Sequence, residues 1–326
     1  MATVSVVIPT YKASPFIRET LGSVFAQTRL PDEVIVVDDC SPDDTVAVAR
    51  QIAATAPVPV RVIRLDKNTG GPAHPLNVGI EAARGELVAT LDHDDLISPN
   101  RLVDQTTAAH ACPGIGLVLG RLKGAESTTG RDQLTENGWE VLRRLPATEV
   151  TPTVYRIAAS EAYSAVLRHG CYALTCSAFF FPKTTWRAIG GFDERVRTSC
   201  DLDFLQAVTR SHDIAYTTAS VAEWSAPPNT LYSASGFRQR FEDVWLVLDR
   251  YAKDGLSREL KPVWRQAVRE FLFDSGYAFR QAGQLRQAAT CQFRAARRCG
   301  LSIRLLKELI KIGATGLWPT VRKATP

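Results

Sequence analysis

The first 91 residues alternate between short apolar runs typical of strands and longer segments with helical spacing of apolar positions. We predict four strands, at residues 3–8, 33–37, 60–65 and 86–91. We predict helices at residues 14–27, with Ser14 as N-cap, at a segment opening with Ser41, and at residues 72–84. Strands that alternate with helices in this way form a parallel sheet with right-handed crossovers, so the expected fold class is α/β, Rossmann-like, with flanking helices.

Clusters of polar residues follow three of these predicted strands, at residues 9–11, 38–41 and 92–95. Ligands of parallel α/β sheets bind at the carboxyl ends of the strands. We therefore expect the three clusters to converge on one edge of the sheet, although they lie far apart in the sequence. This convergence predicts a binding site.

The strongest chemical signal is the stretch that ends the fourth strand, in which Asp92, Asp94 and Asp95 follow an apolar run. Carboxylates this close repel one another, and a divalent cation relieves the repulsion. Oxygen ligands suit Mg²⁺ or Mn²⁺, and alternation along an extended chain directs Asp92 and Asp94 to the same side. The alternative is a solvated acidic turn, or an N-cap for the helix after Pro99.

Beyond residue 110 the pattern is weaker. We predict strands at residues 115–119 and 178–181, a loop at 121–138, and helices at 139–145, 160–167, 183–189 and 201–211. After Gly236 the sequence becomes basic and helical, with predicted helices at residues 262–281, 285–298 and 302–312. We therefore divide the chain into residues 1–235, with halves 1–110 and 111–235, and a helical C-terminal appendage at 236–326.

Composition narrows the setting. The 326 residues include seven scattered cysteines without a Cys-x-x-Cys pair, which favours a reducing cytosol over a zinc site or a disulfide framework. No apolar run reaches the roughly 18 residues of a spanning helix, and we expect no signal peptide. Residues 250–326 hold 16 Lys and Arg against 5 Asp and Glu. That excess predicts an anionic partner; nucleic acid is disfavoured because aromatics do not interleave with the basic residues.

Four blocks in order resemble glycosyltransferase family 2, whose members have the GT-A fold and transfer sugars from nucleotide diphosphates with inversion. They are residues 4–11 (VSVVIPTY), 36–41 (VVDDCS), 68–95 (from NTGGPA to DHDD) and 190–194 (GGFDE), with Asp201 and Asp203 downstream. The resemblance covers about residues 3–215. It implies that residues 1–110 bind a nucleotide sugar and residues 111–235 bind an acceptor, while residues 236–326 are not covered.

The same resemblance implies roles for individual residues. It gives Asp201 as the catalytic base and Asp92 and Asp94 as ligands of Mg²⁺ or Mn²⁺. The residues implied for the donor are Pro9, Thr10, Tyr11, Asp39, Asn68, Gly70, Asp92 and His93. Those implied for the acceptor are Gly191, Phe192 and Asp193. A carboxylate near the acceptor hydroxyl removes its proton, and the metal takes up charge on the departing diphosphate.

The sequence departs from the family pattern at three places. Leu76 stands where an Arg is common, and His74 or Lys67 are the candidates to compensate on the diphosphate. Cys200 replaces a Glu beside the base, and Glu223-Trp224 stand where relatives carry an Arg or His. Several residues also have a structural alternative: packing for Tyr11, Phe192 and Trp224, a turn or cap for Asp38 and Asp193, a helix stop for Gly190-Gly191, and a helix-surface position for Asp203.

We therefore expect a metal-assisted inverting glycosyltransferase. It would move a sugar from a UDP-linked donor to a hydroxyl of a glycan or lipid-linked acceptor, in surface polysaccharide or glycoconjugate synthesis. The alternative is a non-catalytic nucleotide-sugar-binding protein of the same fold. A dehydrogenase is disfavoured because Pro9-Thr10-Tyr11 stands where a Gly-x-Gly-x-x-Gly would follow the first strand. We expect a cytoplasmic location, with residues 250–326 in peripheral contact with the inner face of a membrane.

Overall fold

The computed structural model describes residues 2–124, 131–225, 237–253, 255–300, 307–308 and 311. The chain forms two compact units, residues 1–247 and 248–326. The strands are β1 Val4–Thr10, β2 Glu33–Asp38, β3 Val60–Arg64, β4 Leu87–Thr90, β5 Leu96–Ile97, β6 Leu117–Gly124, β7 Thr148–Thr151, β8 Val154–Ile157, β9 Phe180–Pro182 and β10 Ile214–Trp224. The α-helices are α1 Ile17–Phe25, α2 Thr45–Ala53, α3 Ala73–Ala82, α4 Arg101–Ala111, α5 Arg131–Arg144, α6 Ala159–His169, α7 Lys183–Ile189, α8 Cys200–Thr209, α9 Phe237–Lys253, α10 Leu260–Gln281 and α11 Leu285–Cys299.

One sheet runs through the first unit in the order β3-β2-β1-β4-β9-β6-β10-β8-β7, with β5 paired to β10. Its first half, β3-β2-β1-β4, is parallel throughout. Every residue of β1, β2 and β4 is buried, as expected for strands covered by helices on both faces. The predicted alternation of strands and helices, and the α/β fold class, are confirmed.

The second half of the sheet is mixed. β9 is antiparallel to β4 and β6, β10 is parallel to β6, and β8 is antiparallel to both β10 and β7. The sequence did not predict β7, β8 or β10. The 11 residues of β10 mix small and polar types without clean alternation, and register shifts flank Ser220. Pairing with β5, β6 and β8 holds this strand, and such non-local pairing leaves no local signal.

Three local predictions were wrong. Ser14 does not cap α1, which begins at Ile17, because the Ser14 hydroxyl donates to Asp43 at 2.7 Å. Ser41 does not open α2, which begins at Thr45, because the Ser41 hydroxyl donates to the Asp38 carboxylate at 2.5 Å. In both cases the serine hydroxyl donates to a nearby carboxylate and does not accept from the free N–H groups at the start of the helix.

The loop expected at residues 121–138 was also wrong in large part. β6 continues to Gly124, and α5 occupies Arg131–Arg144. Gly138 argued against a helix, but a Cβ there would lie 2.5 Å from the carbonyl oxygen of Tyr172. Close packing against that carbonyl therefore needs glycine despite its low helix propensity.

An aromatic cluster fixes α8 against the sheet. Phe204 of α8 packs on Phe192 at a centroid distance of 4.3 Å, on Phe181 at 4.8 Å and on Phe179 at 5.5 Å. All four rings are buried. The cluster therefore sets where the first residue of α8 and its neighbour Asp201 lie relative to β4 and β9.

The second unit contains a helical hairpin of α10 and α11. Gly276 allows the two helices to approach, since a Cβ there would lie 2.6 Å from the Gln292 side chain. The indole of Trp264 donates to the carbonyl oxygen of Leu248 at 2.9 Å, and Arg298 pairs with Asp249. Within the described ranges, no helix combines the length and the apolar character needed to cross a bilayer. Most of the predicted helix at 302–312 lies outside the described residues.

Candidate active site

The carboxyl end of β2 organises one wall of the site. Asp39 is buried, and its carboxylate accepts hydrogen bonds from the Thr69 amide at 2.9 Å and the Thr69 hydroxyl at 2.9 Å. The side-chain amide of Asn68 donates to the backbone carbonyl oxygen of Asp39 at 3.1 Å. Asp39 thus holds the turn that ends in Gly70, whose φ of +85° suits glycine. Two predicted donor segments are brought together in this way.

The carboxyl end of β1 contributes the neighbouring wall. The Asp39 amide donates to the carbonyl oxygen of Thr10 at 2.8 Å, so the two strand ends are joined directly. Nδ1 of His93 donates to the carbonyl oxygen of Pro9 at 3.2 Å. Tyr11 is 39% exposed, which argues against the packing alternative and leaves its ring accessible to a ligand.

The carboxyl end of β4 carries the aspartates. The Thr175 hydroxyl donates to Asp92 Oδ2 at 2.6 Å. Burial, followed by the charge of Asp94, raises the pKa of Asp92. Asp94 is half-buried, and among the described residues its carboxylate accepts no hydrogen bond and forms no ion pair. A carboxylate left without a partner beside a second carboxylate is suited to a cation.

Asp95 differs from its neighbours because both of its oxygens are taken. The Ser177 hydroxyl donates to Oδ2 at 2.6 Å and the Ser225 amide to Oδ1 at 2.8 Å. Asp95 is 1% exposed, and burial, followed by the charges of Asp92 and Asp94, raises its pKa well above the usual range. It builds the site and does not face a ligand.

A buried cation near the aspartates was not predicted from the sequence. Arg101 of α4 is fully buried, and its guanidinium donates to the carbonyl oxygens of Thr90 and Phe179 at 3.0 Å and to Gln105 at 2.8 Å. Burial lowers the pKa of Arg101 to about 9, while the charges of Asp95 and Asp92 act in the opposite direction. Arg101 stands at the start of a helix after Pro99, where an arginine is normally exposed, so the sequence did not indicate that its side chain would be buried.

The predicted base lies at the start of α8. Asp92 accepts from Thr175, and the next residue, Cys176, contacts Cys200 beside Asp201, so the two carboxylates lie in one region. Burial raises the pKa of Asp201 to about 6, and the charge of Asp92 also raises it. A hydrogen bond with the Cys171 thiol acts in the opposite direction. Cys200, which replaces the family's Glu, is buried with its Sγ 3.8 Å from Cys176 Sγ. Cys200 therefore packs inside and offers no polar group to an acceptor.

The predicted acceptor loop is tied to α3. Asn77 accepts from the amide of Phe192 at 2.9 Å and donates to the Phe192 carbonyl at 2.9 Å. A Cβ on Gly191 would lie 2.9 Å from Asn77 Oδ1 and 3.0 Å from Trp186 Nε1, and Gly191 has φ +78°. The ring of Phe192 is 2% exposed and lies in the aromatic cluster, so it shapes the loop from inside.

The carboxylates of this loop are also engaged. Asp193 accepts from the Arg195 amide at 3.0 Å and pairs with its guanidinium at 2.7 Å, as the local-cap alternative required. The helix-surface interpretation of Asp203 was wrong, because Asp203 is 2% exposed and accepts from the Asp193 amide at 3.3 Å. The acceptor roles of Gly191, Phe192 and Asp193 stay predictions.

Asp243 of α9 is a second residue that sequence reasoning missed. It is 2% exposed, and its Oδ2 accepts from the amides of Arg197 and Thr198 at 3.0 and 2.6 Å and from the Thr198 hydroxyl at 2.7 Å. The loop that leads into α8 and Asp201 is thereby fixed. Asp243 is one of three acidic residues in a helix that also carries four basic ones, and no sequence motif distinguishes it.

The aspartates fit a divalent cation with a small protein ligand set. No group of three His, Cys, Asp or Glu residues suited to a metal ion occurs in the part of the chain that the structure describes. Asp94 and the remaining oxygen of Asp92 would supply two oxygens. Mg²⁺ commonly takes one or two carboxylates and completes its shell with phosphate oxygens and water.

A parallel half-sheet with carboxylates at its strand ends, joined to a mixed half-sheet that supplies a candidate base, defines the class of GT-A-fold proteins. Residues 5–179 match Glycosyl transferase family 2, which is more than half of the chain. The chain belongs to glycosyltransferase family 2, and the resemblance drawn from the four sequence blocks is confirmed.

Individual relatives agree with this assignment. Poly(ribitol-phosphate) beta-N-acetylglucosaminyltransferase TarS of Staphylococcus aureus is 38% identical over 106 residues, which are 32% of this chain and 18% of that protein. The chain therefore aligns with about a fifth of that relative. The structure of S. aureus TarS residues 1–349 with UDP-GlcNAc matches with a TM-score of 0.59 and 18% identity, covering 93% of each chain. Mannosyltransferase PcManGT of Pyrobaculum calidifontis, with GDP-Man and Mn²⁺, matches with a TM-score of 0.60 and 21% identity, covering 97% of this chain and 81% of that one.

Proposed function

We propose that this chain is a metal-assisted, inverting glycosyltransferase that uses a UDP-linked sugar and a hydroxyl acceptor on a glycan or lipid-linked glycan. The main support is the carboxylate of Asp94, which has no partner among the described residues, beside Asp92 and in the same region as Asp201. Surface polysaccharide or glycoconjugate synthesis is the setting that such an acceptor implies. The relatives support this choice, since one acts on poly(ribitol-phosphate) by name and two structures hold nucleotide sugars.

Each group of site residues would have its own role in binding or catalysis. The turn that Asp39 holds, together with Pro9, Thr10, Tyr11 and His93, would bind the base and ribose. Asp92 and Asp94 would hold Mg²⁺ or Mn²⁺, which when bound offsets negative charge on the diphosphate. Asp201 would accept the proton of the acceptor hydroxyl as that oxygen forms the new glycosidic bond. A base with a pKa of about 6 is largely deprotonated at neutral pH and so is ready for this step.

A panel assay tests the function. Purified protein is incubated with UDP- and GDP-sugars, Mn²⁺ or Mg²⁺ and candidate acceptors, and released nucleoside diphosphate and anomeric configuration of the product are measured. We expect metal-dependent turnover with one UDP-sugar, and loss of turnover in Asp201→Asn. Donor binding by calorimetry without transfer or hydrolysis for any pair would instead support the non-catalytic binding protein.

We also infer that the second unit contacts an anionic membrane surface, where a lipid-linked acceptor would lie. The outward stripe of α11 supports this: Arg286, Phe293 and Arg297 are exposed at helical spacing, and Phe293 is 65% exposed. Basic residues attract anionic headgroups at about 1 kcal/mol each, and an aromatic ring adds interfacial burial. Co-sedimentation with anionic but not neutral vesicles, weakened by Phe293→Ala, is expected. No co-sedimentation with anionic vesicles at low salt would reject the membrane role.

A further inference from the structure

The diphosphate of the proposed donor needs a cation, and the expected position does not supply one. Leu76, which stands where the family has an Arg, is fully buried in the structure. His74, one of the two residues suggested to compensate, has its Nδ1 2.9 Å from Glu194 and is engaged there. Lys67, the other residue suggested, is exposed and is one candidate for this cation, and the loop before α8 supplies a second.

Arg197 lies against the turn that Asp39 holds. A methyl group on Gly70 would be 3.8 Å from Cδ and Nε of Arg197 and 3.9 Å from Cζ, so the guanidinium stem is in van der Waals range of the turn. A methyl group on Gly71 would be 2.4 Å from the Arg197 carbonyl oxygen. The two glycines thus allow the loop before α8 to seat its arginine directly on the turn before α3.

Hydrogen bonds fix the backbone around Arg197, while its guanidinium has no ion-pair partner among the described residues. Asp243 accepts the Arg197 amide and both donors of Thr198, which holds the main chain. The side chain is exposed, and within the described residues its guanidinium forms no ion pair. Arg195, two residues earlier in the same loop, is by contrast paired with Asp193. The backbone of Arg197 is therefore held in place, and its exposed guanidinium can contact a ligand.

We propose that Arg197 binds the diphosphate of the nucleotide sugar, in place of the arginine that the family carries at the position of Leu76. A planar guanidinium can donate two parallel hydrogen bonds to phosphate oxygens, which suits a fixed backbone. Because Arg197 belongs to the loop that leads to Asp201, it would also set the position of the donor relative to Asp201. This inference rests on the proposed function.

The test compares binding of UDP and GDP with binding of uridine and guanosine. Calorimetry and ligand-observed NMR are run on the whole chain, with and without Mn²⁺, for wild type, Arg197→Ala and Arg197→Lys. Arg187→Ala is the matched control, since Arg187 is an exposed arginine on α7 and carries the same charge. Circular dichroism and thermal midpoints verify that each variant is folded.

We expect Arg197→Ala to weaken diphosphate binding by about tenfold or more, the size of a lost charge-assisted hydrogen bond, and to leave nucleoside binding unchanged. Arg197→Lys should be intermediate, because it keeps the charge and loses the bidentate geometry. Unchanged diphosphate binding in Arg197→Ala overturns the inference. Equal weakening of nucleoside and diphosphate also overturns it, since Arg197 would then only support the turn. If wild type binds neither UDP nor GDP, the proposed function fails, and this inference fails with it.

Discussion

Arg101→Met should be the most destabilising single change near the site. The substitution keeps an unbranched apolar stem and removes a guanidinium that is fully buried. It leaves the carbonyl oxygens of Thr90 and Phe179 and the Gln105 side chain without their donor. Each buried acceptor that loses its partner costs about 1–3 kcal/mol. The change also removes a buried cation on which the charges of Asp95 and Asp92 act.

Three acceptors that lose this donor, at about 1–3 kcal/mol each, give at least about 3 kcal/mol, so we expect a loss of about 4 kcal/mol in the free energy of unfolding. With a urea dependence of about 3 kcal/mol/M, the unfolding midpoint should fall by roughly 1.3 M. Urea unfolding followed by tryptophan fluorescence measures this. Arg18→Met, at an exposed position of α1, is the control and should stay near wild type. A loss below about 1 kcal/mol for Arg101→Met would refute the argument that this cation balances the aspartates.

Three further predictions concern individual residues. Asp94→Ala should abolish metal-dependent donor binding; unchanged Mn²⁺-dependent nucleotide affinity by calorimetry would place the metal elsewhere. Asp201→Asn should keep donor affinity but slow transfer by ~10²-fold or more. Since Asp201 must be deprotonated and its pKa is about 6, wild-type kcat/KM should fall as pH drops through that value, and an acid limb far from it would contradict the assignment. Gly191→Ala should destabilise by more than Gly190→Ala, because both have positive φ but only Gly191 would meet Asn77 and Trp186, and equal thermal midpoints would disprove the clash.

The parallel half of the sheet could be predicted because each strand ends where its apolar run ends. Burial on both faces makes β1, β2 and β4 continuous apolar runs, and the helices between them carry their own spacing. The mixed half could not be predicted, since β10 is held by partners from three other segments. Its sequence reflects those neighbours and has no period of its own.

The site residues also fall into two groups, those that could be predicted from the sequence and those that could not. Asp39, Asp92, Asp94 and Asp201 could be located from the sequence because they follow elements with a readable pattern. Arg101 and Asp243 could not, because a charged residue next to a helix start or inside a polar helix is normally exposed. Nothing local reveals that Arg101 lies beneath β4 or that Asp243 accepts three donors from a distant loop. Only the assembled fold gives these groups their partners.

The bonds that build the site also determine when it can form. Asp92 and Thr175 are separated by 83 residues, Asn77 and Phe192 by 115, and Asp95 and Ser225 by 130. Contacts between positions so far apart require closure of long loops before they give any stabilisation, which slows folding. During synthesis the parallel half can pair its strands early, whereas Asp95 cannot accept its second hydrogen bond until residue 225 has left the ribosome. A growing chain should therefore acquire sheet structure well before it can hold a nucleotide sugar.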